Sequence, residues 1–302
     1  MNFRLLHSPL AERSLAVRIY REAMKNSGIT LIELLIVLAI SSLMVSGLFT
    51  LYLQVKEHHR YHYALQEMTE EIRFVNQLLE RAFQGAGYLG LTSWNQIPVY
   101  DNLNKSFLNH PIISLKETDS NLSENIRKKI KPGTQAIELR QMDFSVTSLA
   151  KNAEIGESET NIYFQTSSNL KKDDLIIIAD AAHAEINCIA SIQTLSNQQQ
   201  VIQLHEPLHY NYAEGSYVGH YFDKIYFIGD TGNFFPDKEK IFGLYMYSEN
   251  GMTEEVTELV SDTEFQWLKE KTIEVSMTFT LPYWINGKYV SRKEEFVVTN
   301  RE

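Results

Sequence analysis

From residue 29 to residue 53 nearly every position is apolar, opening Ile29-Thr30-Leu31-Ile32-Glu33-Leu34-Leu35-Ile36-Val37-Leu38-Ala39-Ile40. The stretch before it is polar and basic, with Arg4, Arg13, Arg18, Arg21 and Lys25 against Glu12 and Glu22, and Gly28 separates the two. Beyond Leu53 charge returns at Lys56 and Glu57, and no Pro or Gly occurs from Gln54 to Arg81. There Leu65, Met68, Ile72, Val75, Leu79, Ala82 and Phe83 recur at three- and four-residue spacing, which places them on one helical face. The pattern predicts a single helix from Ile29 to Phe83. Its first half is hydrophobic all round, and its second half is amphipathic and packed on a sheet. The glycines of Gly85-Ala86-Gly87-Tyr88-Leu89-Gly90 end it.

After Gly90 the period changes. Residues 91–135 read as loops, marked by Pro98, Pro111 and Pro132-Gly133, with a short helix near Glu124–Ile130. Short β-type runs follow at Ala136–Arg140, Asn161–Gln165, Leu175–Ala179, Asn187–Ile192 and Val201–Leu204. Further runs lie at Lys224–Ile228, Ile241–Tyr247, Thr272–Leu281 and Glu295–Thr299. Turn chemistry stands between them at Asp230-Thr231-Gly232-Asn233, Asn250-Gly251 and Asn286-Gly287, the last predicting a tight hairpin. No helical crossover recurs, so the sheets are expected to be mainly antiparallel. The fold class is therefore α+β, a long N-terminal helix packed on a mainly antiparallel β-sheet domain.

At about 1.5 Å per residue, a helix from Ile29 to Leu53 is long enough to cross a hydrocarbon core of ~30 Å. The basic flank predicts a cytoplasmic N-terminus and translocation of the rest. A secretory signal peptide fits poorly, because its small residues follow the apolar run. Here Gly28 precedes it, so a cut after Gly28 leaves the helix on the mature chain. Glu33 is the only charge between Ile29 and Leu53. A carboxylate in hydrocarbon costs at least ~2.5 kcal/mol and calls for a partner. One candidate is the amine freed at Ile29 by cleavage, one helical turn away in the same chain or supplied by a neighbouring one. The other reading is a solvated helix start, with Glu33 reaching the interface or complementing the helix dipole.

Residues Ser27 to Ile40 resemble the prepilin-type cleavage and methylation motif, a basic leader ending in glycine followed by an apolar helix with a glutamate at its fifth position. By position, the resemblance implies cleavage after Gly28, an N-methylated mature N-terminus at Ile29, and Glu33 as the assembly carboxylate. Ile29 stands where the family more often has Phe, and Met24 offers a second start to a long leader. Further on, Gly85–Tyr88, Gly133–Arg140, Asp174–Asp180, Glu254–Asp262 and Phe296–Arg301 are similar, in order, to segments of the larger minor pilins of the PilW type. That resemblance implies a pilin-like organisation: leader 1–28, transmembrane half-helix 29–53, amphipathic periplasmic half 54–84 and a β-rich periplasmic domain 85–302. It implies inner-membrane insertion and then a place in a type IV pilus, with roles in its assembly or priming, in adhesion or in twitching motility. The implied partners are the prepilin peptidase, other minor pilins, the major pilin and the inner-membrane assembly platform. A minor pseudopilin of type II secretion stays open within the superfamily. So does a single-span membrane protein whose periplasmic domain binds a ligand or is an enzyme.

The formal charge of −10 disfavours a nucleic-acid surface, which needs clustered Lys and Arg. Sixteen Tyr and fifteen Phe favour β-structure. The single cysteine, Cys188, excludes an internal disulfide and reads as a small buried hydrophobe. His205-Glu206-Pro207-Leu208-His209 matches the zinc-protease spacing, but that chemistry needs a helix and Pro207 interrupts one, so a strand running into a turn with exposed imidazoles is expected. His58, His59 and His62 read as interfacial residues beside Tyr52, Tyr61 and Tyr63 rather than as a metal site. Asp173, Asp174, Asp180 and Glu185 lack the spacing of a calcium loop. No catalytic residue, metal or cofactor is predicted.

Overall fold

The computed structural model describes residues 30–93, 96–102, 111–119, 122–143, 147–155, 161–164, 169–195, 200–248, 251–269, 272–285 and 288–300. Helix α1 (Leu31–Gly85) is continuous, close to the predicted span. The chain divides into two compact units, one ending at His62 and the other beginning at Tyr63.

In the first unit every described residue is exposed, including Leu31, Leu43 and Phe49. Two of its hydroxyls turn onto the helix itself. Ser42 Oγ donates to Ala39 O at 2.8 Å and Thr50 Oγ1 to Ser46 O at 3.0 Å. These polar groups thus make no demand on the surroundings, as a helix in lipid requires. The helix is long and apolar enough to cross a membrane.

In the second unit α1 buries Ala64, Met68, Ile72, Val75, Leu79 and Phe83 on one stripe, while Leu65 is only half-buried. Strands β1 (Val99–Asp101) and β2 (Ile112–Lys116), helix α2 (Glu124–Lys129), β3 (Gln135–Met142) and β4 (Thr147–Ser148) follow. Next come β5 (Asn161–Phe164), β6 (Leu175–Ala179), β7 (Ala184–Thr194), β8 (Gln200–Leu204) and β9 (Tyr217–Phe234). The series ends with β10 (Lys240–Ser248), β11 (Thr253–Thr257), β12 (Val260–Lys269), β13 (Thr272–Ile285) and β14 (Lys288–Thr299). Every predicted strand is present, and α2 occupies the expected place.

One sheet is built along β9, which pairs antiparallel with β4 and β6 near its start, β3 in its middle and β10 over its second half. A second sheet has the order β12-β13-β14. The α1 stripe packs with Ile137, Leu139, Ile228 and Leu244 of the first sheet and Phe265, Val275 and Met277 of the second in one core. Asn300 donates to Ala86 O at 2.9 Å, tying the segment after β14 to the end of the helix. A separate core gathers Ile162, Phe164, Ile176, Ile178, Ile189, Ile202 and Val218 around β5 to β9.

Several expectations are corrected. Residues 91–135 hold β1 and β2, short strands that turn signals hid. The pair β1–β7 is parallel, an exception to the antiparallel arrangement. Asp230–Asn233 is not a turn but a bulge inside β9. Lys240 pairs with Phe234 and Phe242 with Asp230, so β9 carries two extra residues there. Gly232, at φ +81°, supplies the left-handed residue, since bulges and turns use the same chemistry. The reversal itself falls at Phe235–Glu239, where Phe235 N donates to Glu239 O at 2.8 Å. Cys188 is half-buried rather than buried, and it is its neighbour Asn187 that is fully enclosed. Strands β13 and β14 pair down to Ile285 and Lys288, as a tight hairpin demands. Asn286-Gly287 and Asn250 lie outside the described residues.

Candidate functional site

The start of α1 carries the predicted assembly carboxylate. Thr30 C=O accepts from Leu34 N at 3.2 Å, and Thr30 Oγ1 accepts from Glu33 N at 3.3 Å. In return Glu33 Oε2 accepts from Thr30 N at 2.9 Å. This is a reciprocal capping box, with Thr30 as N-cap and Glu33 as the third helical residue. Thr-x-x-Glu before an apolar run is a sequence signal for it, which the reading of Glu33 as a lone charge passed over. The carboxylate therefore has a local partner before any neighbour arrives, and it is attached to the backbone nitrogen of the residue following Ile29. Gly28 and Ile29 themselves lie outside the described residues.

The other sequence candidates do not converge. His58 and His62 stack with centroids 6.4 Å apart on the exposed helix. His205 approaches Asp173 at 3.8 Å, whereas His209 stacks on Tyr100, so the two imidazoles of the zinc-like spacing serve different neighbours. The segment is the strand end that the proline predicted, with both histidines exposed. Asp174 accepts from Lys171 N at 2.6 Å, and Asp180 accepts from Ala182 N at 2.7 Å and His183 N at 2.9 Å. These are turn-closing bonds. Among the described residues no group of three or more His, Cys, Asp or Glu side chains is placed to hold a metal ion.

A buried ion pair and a buried carboxyl escaped the sequence reading. Glu138 and Arg140, two apart on β3, form an ion pair of 2.7 Å with both side chains enclosed. Two-residue spacing of opposite charges in a strand was the available signal. Glu185 on β7 is fully buried. Burial pushes its carboxyl up to about 7, against the lowering effect of the His209 and Tyr210 amides and the Asn187 and Asn102 side chains. A groove of 460 Å³ between α1 and the first sheet is lined by Phe74, Leu78, Arg81, Lys224 and Met246 among others, with no carboxylate, histidine or cysteine in its described lining.

Residues 23–49 match the family described as the prokaryotic N-terminal methylation motif. The chain thus carries a prepilin-type methylation motif at the start of a pilin-like α+β arrangement. No curated protein and no solved structure matches it. The matched stretch takes in Gly28, Ile29, the Thr30–Glu33 capping box and most of the apolar run. The motif implies processing by a prepilin peptidase, and pilin-like proteins are typically structural rather than enzymatic. A long apolar N-terminal helix followed by antiparallel sheets is the matching α+β architecture.

Proposed function

We propose that this chain is a minor pilin of the PilW type. It is cut after Gly28, N-methylated at Ile29 and built into a type IV pilus through its apolar helix. The observation that carries the reading is Glu33, a single carboxylate in an otherwise apolar, wholly exposed half-helix, bonded to the Thr30 nitrogen. In the bilayer the N-terminus is cytoplasmic and the β-rich domain periplasmic. Cleavage creates a cation next to the capping box. During assembly the helix leaves lipid for a bundle of like helices, where burial of its apolar surface supplies most of the stabilisation. The amine of one subunit and Glu33 of another then set the stagger, because an unpaired charge in that bundle is costly. Other minor pilins, the major pilin and the inner-membrane platform are the neighbours this requires. Priming of the filament is the role, with adhesion or twitching motility as its consequence.

The N-terminal mass of the membrane-extracted protein tests the proposal. A species beginning at N-methylated Ile29 is expected, and a chain with an intact leader and no trimmed form would overturn it. Glu33→Ala should be processed normally yet fail to enter filaments, scored by sheared-pilus immunoblot. Normal entry of that variant would remove Glu33 from the mechanism.

A further inference from the structure

The segment 205–210, between β8 and β9, is fastened to β7 largely by two enclosed side chains. Asn187 donates to Glu206 O at 2.9 Å and accepts from Glu206 N at 3.4 Å. Glu185 Oε2 accepts from His209 N at 2.9 Å and from Tyr210 N at 3.3 Å, while its other oxygen accepts from Asn102 Nδ2 at 3.4 Å. Rings close over the joint. His209 lies on Tyr100 at 3.8 Å and 3°, and Tyr210 on His183 at 4.4 Å and 12°. Leu208 and Tyr212, both buried, anchor the segment in the core beneath.

The charge around this joint is unusual. Between Lys172 and Lys224 the sequence holds no Lys or Arg, but seven carboxylates and four histidines. Histidine is thus the only side chain of that stretch able to carry a positive charge. His183 lies 3.0 Å from Asp180, His205 3.8 Å from Asp173 and His220 3.4 Å from Asp174. The titratable groups on the elements packed about Glu185 are Tyr100 and Asp101 on β1, Asp180 and His183 at the β6–β7 turn, and Glu206, His209, Tyr210 and Tyr212 on the segment and just after it. Burial, then Glu185 and Asp180, hold the Tyr212 phenol well above its usual range. Among the described residues no Lys or Arg pairs with Glu185.

We propose that Glu185 is a proton-operated latch on residues 205–210: neutral, it holds the segment against β7, and ionised, it is a buried charge without a cation that releases it. A neutral carboxyl still accepts both segment amides at Oε2 and can donate from its other oxygen. An ionised one keeps the bonds but must stay desolvated with no cation beside it among the described residues. Lifting the segment lets water in and is the cheapest relief. The sign follows from the burial-raised carboxyl. The folded state holds its proton up to about 7 while a carboxyl of ordinary value 4.5 has lost it. Its stabilising contribution is therefore complete below 4.5 and is lost as pH rises through about 7.

The test is amide hydrogen exchange on the full chain in detergent micelles, followed at His209 and Tyr210 from pH 5.5 to 8.5 and referenced to β13 amides so that intrinsic exchange cancels. The two amides should lose about tenfold in relative protection across that range, of the order allowed by one proton released near the middle of it. Glu185→Gln, which accepts but cannot ionise, should show no such loss. Equal protection at both ends of the range in the wild type, or an undiminished loss in Glu185→Gln, would overturn the proposal. Should the variant not fold, the wild-type profile alone decides. A fall with the slope of a single proton supports the latch, and a flat or multi-proton profile overturns it. The outcome is independent of how the N-terminus is processed.

Discussion

The two stretches of α1 have the same backbone and opposite surroundings. Leu31 and Leu43 in the first are 79% and 73% exposed, whereas Val75 and Leu79 in the second are fully enclosed. Helix propensity does not separate them, since both are rich in residues that form helices well. The arrangement of apolar positions does. An apolar stripe matches one partner surface, and the sheets of the same chain supply it. Apolar side chains on every face suit surroundings that are apolar on every side, as lipid or a bundle of other helices is. The comparison also explains how each stretch treats charge. As far as Leu53 the first has a single carboxylate, at its very start, where a capping threonine satisfies it. The second places Glu67, Glu70, Glu71 and Glu80 off its buried stripe.

The largest effects should come from putting a charge into each stretch. Val75→Asp buries an unpaired carboxylate between two sheets and is expected to cost more than about 4 kcal/mol, read as loss of cooperative urea unfolding. Leu43→Asp should leave that unfolding within about 0.5 kcal/mol of the wild type while adding about 2.5–3.5 kcal/mol to membrane insertion, read in a translocon assay. If both variants unfolded the β-rich unit alike, the division of the helix would be wrong. Leu79→Ala removes packing only and should cost about 2–5 kcal/mol by the same denaturation measurement. The smallest change is Thr30→Ala, which deletes one side of the capping box. About 1 kcal/mol of local helix stability should go, seen as faster exchange of the Glu33 amide with the rest of α1 unchanged. An unaltered Glu33 amide would mean that the box contributes nothing to the helix start.

Much of the fold was legible because its signals are local. Periodicity over a few turns marked α1, and short runs of β-branched and aromatic residues marked β6, β10 and β13. The unread strands had weak local signals. Strand β1 is three residues long, and β11 and β12 carry Glu254, Glu255, Asp262 and Glu264 on outward positions, which look like loop chemistry. The bulge in β9 was mistaken for a turn because Gly232 and its neighbours suit either, and only the pairing with β10 selects one. At the helix start the motif residues were plain, but the capping partner was overlooked even though it stands three residues from Glu33.

Taken alone, the order of amino acids settled that one half of the long helix suits apolar surroundings on every side, that the other half needs a sheet, and that a methylation motif spans the start of the helix. Those properties depend on residues within a turn or two of each other. What Glu185 experiences was settled only by folding, because Asn102 on one side and His209 and Tyr210 on the other reach it from two distant parts of the chain. A carboxylate's surroundings are set by whichever segments close over it, and water is excluded only once they have. The same holds for the parallel β1–β7 pair and for β9 as the common neighbour of four strands. Hydrogen bonds between distant segments choose among registers that local pattern leaves equivalent.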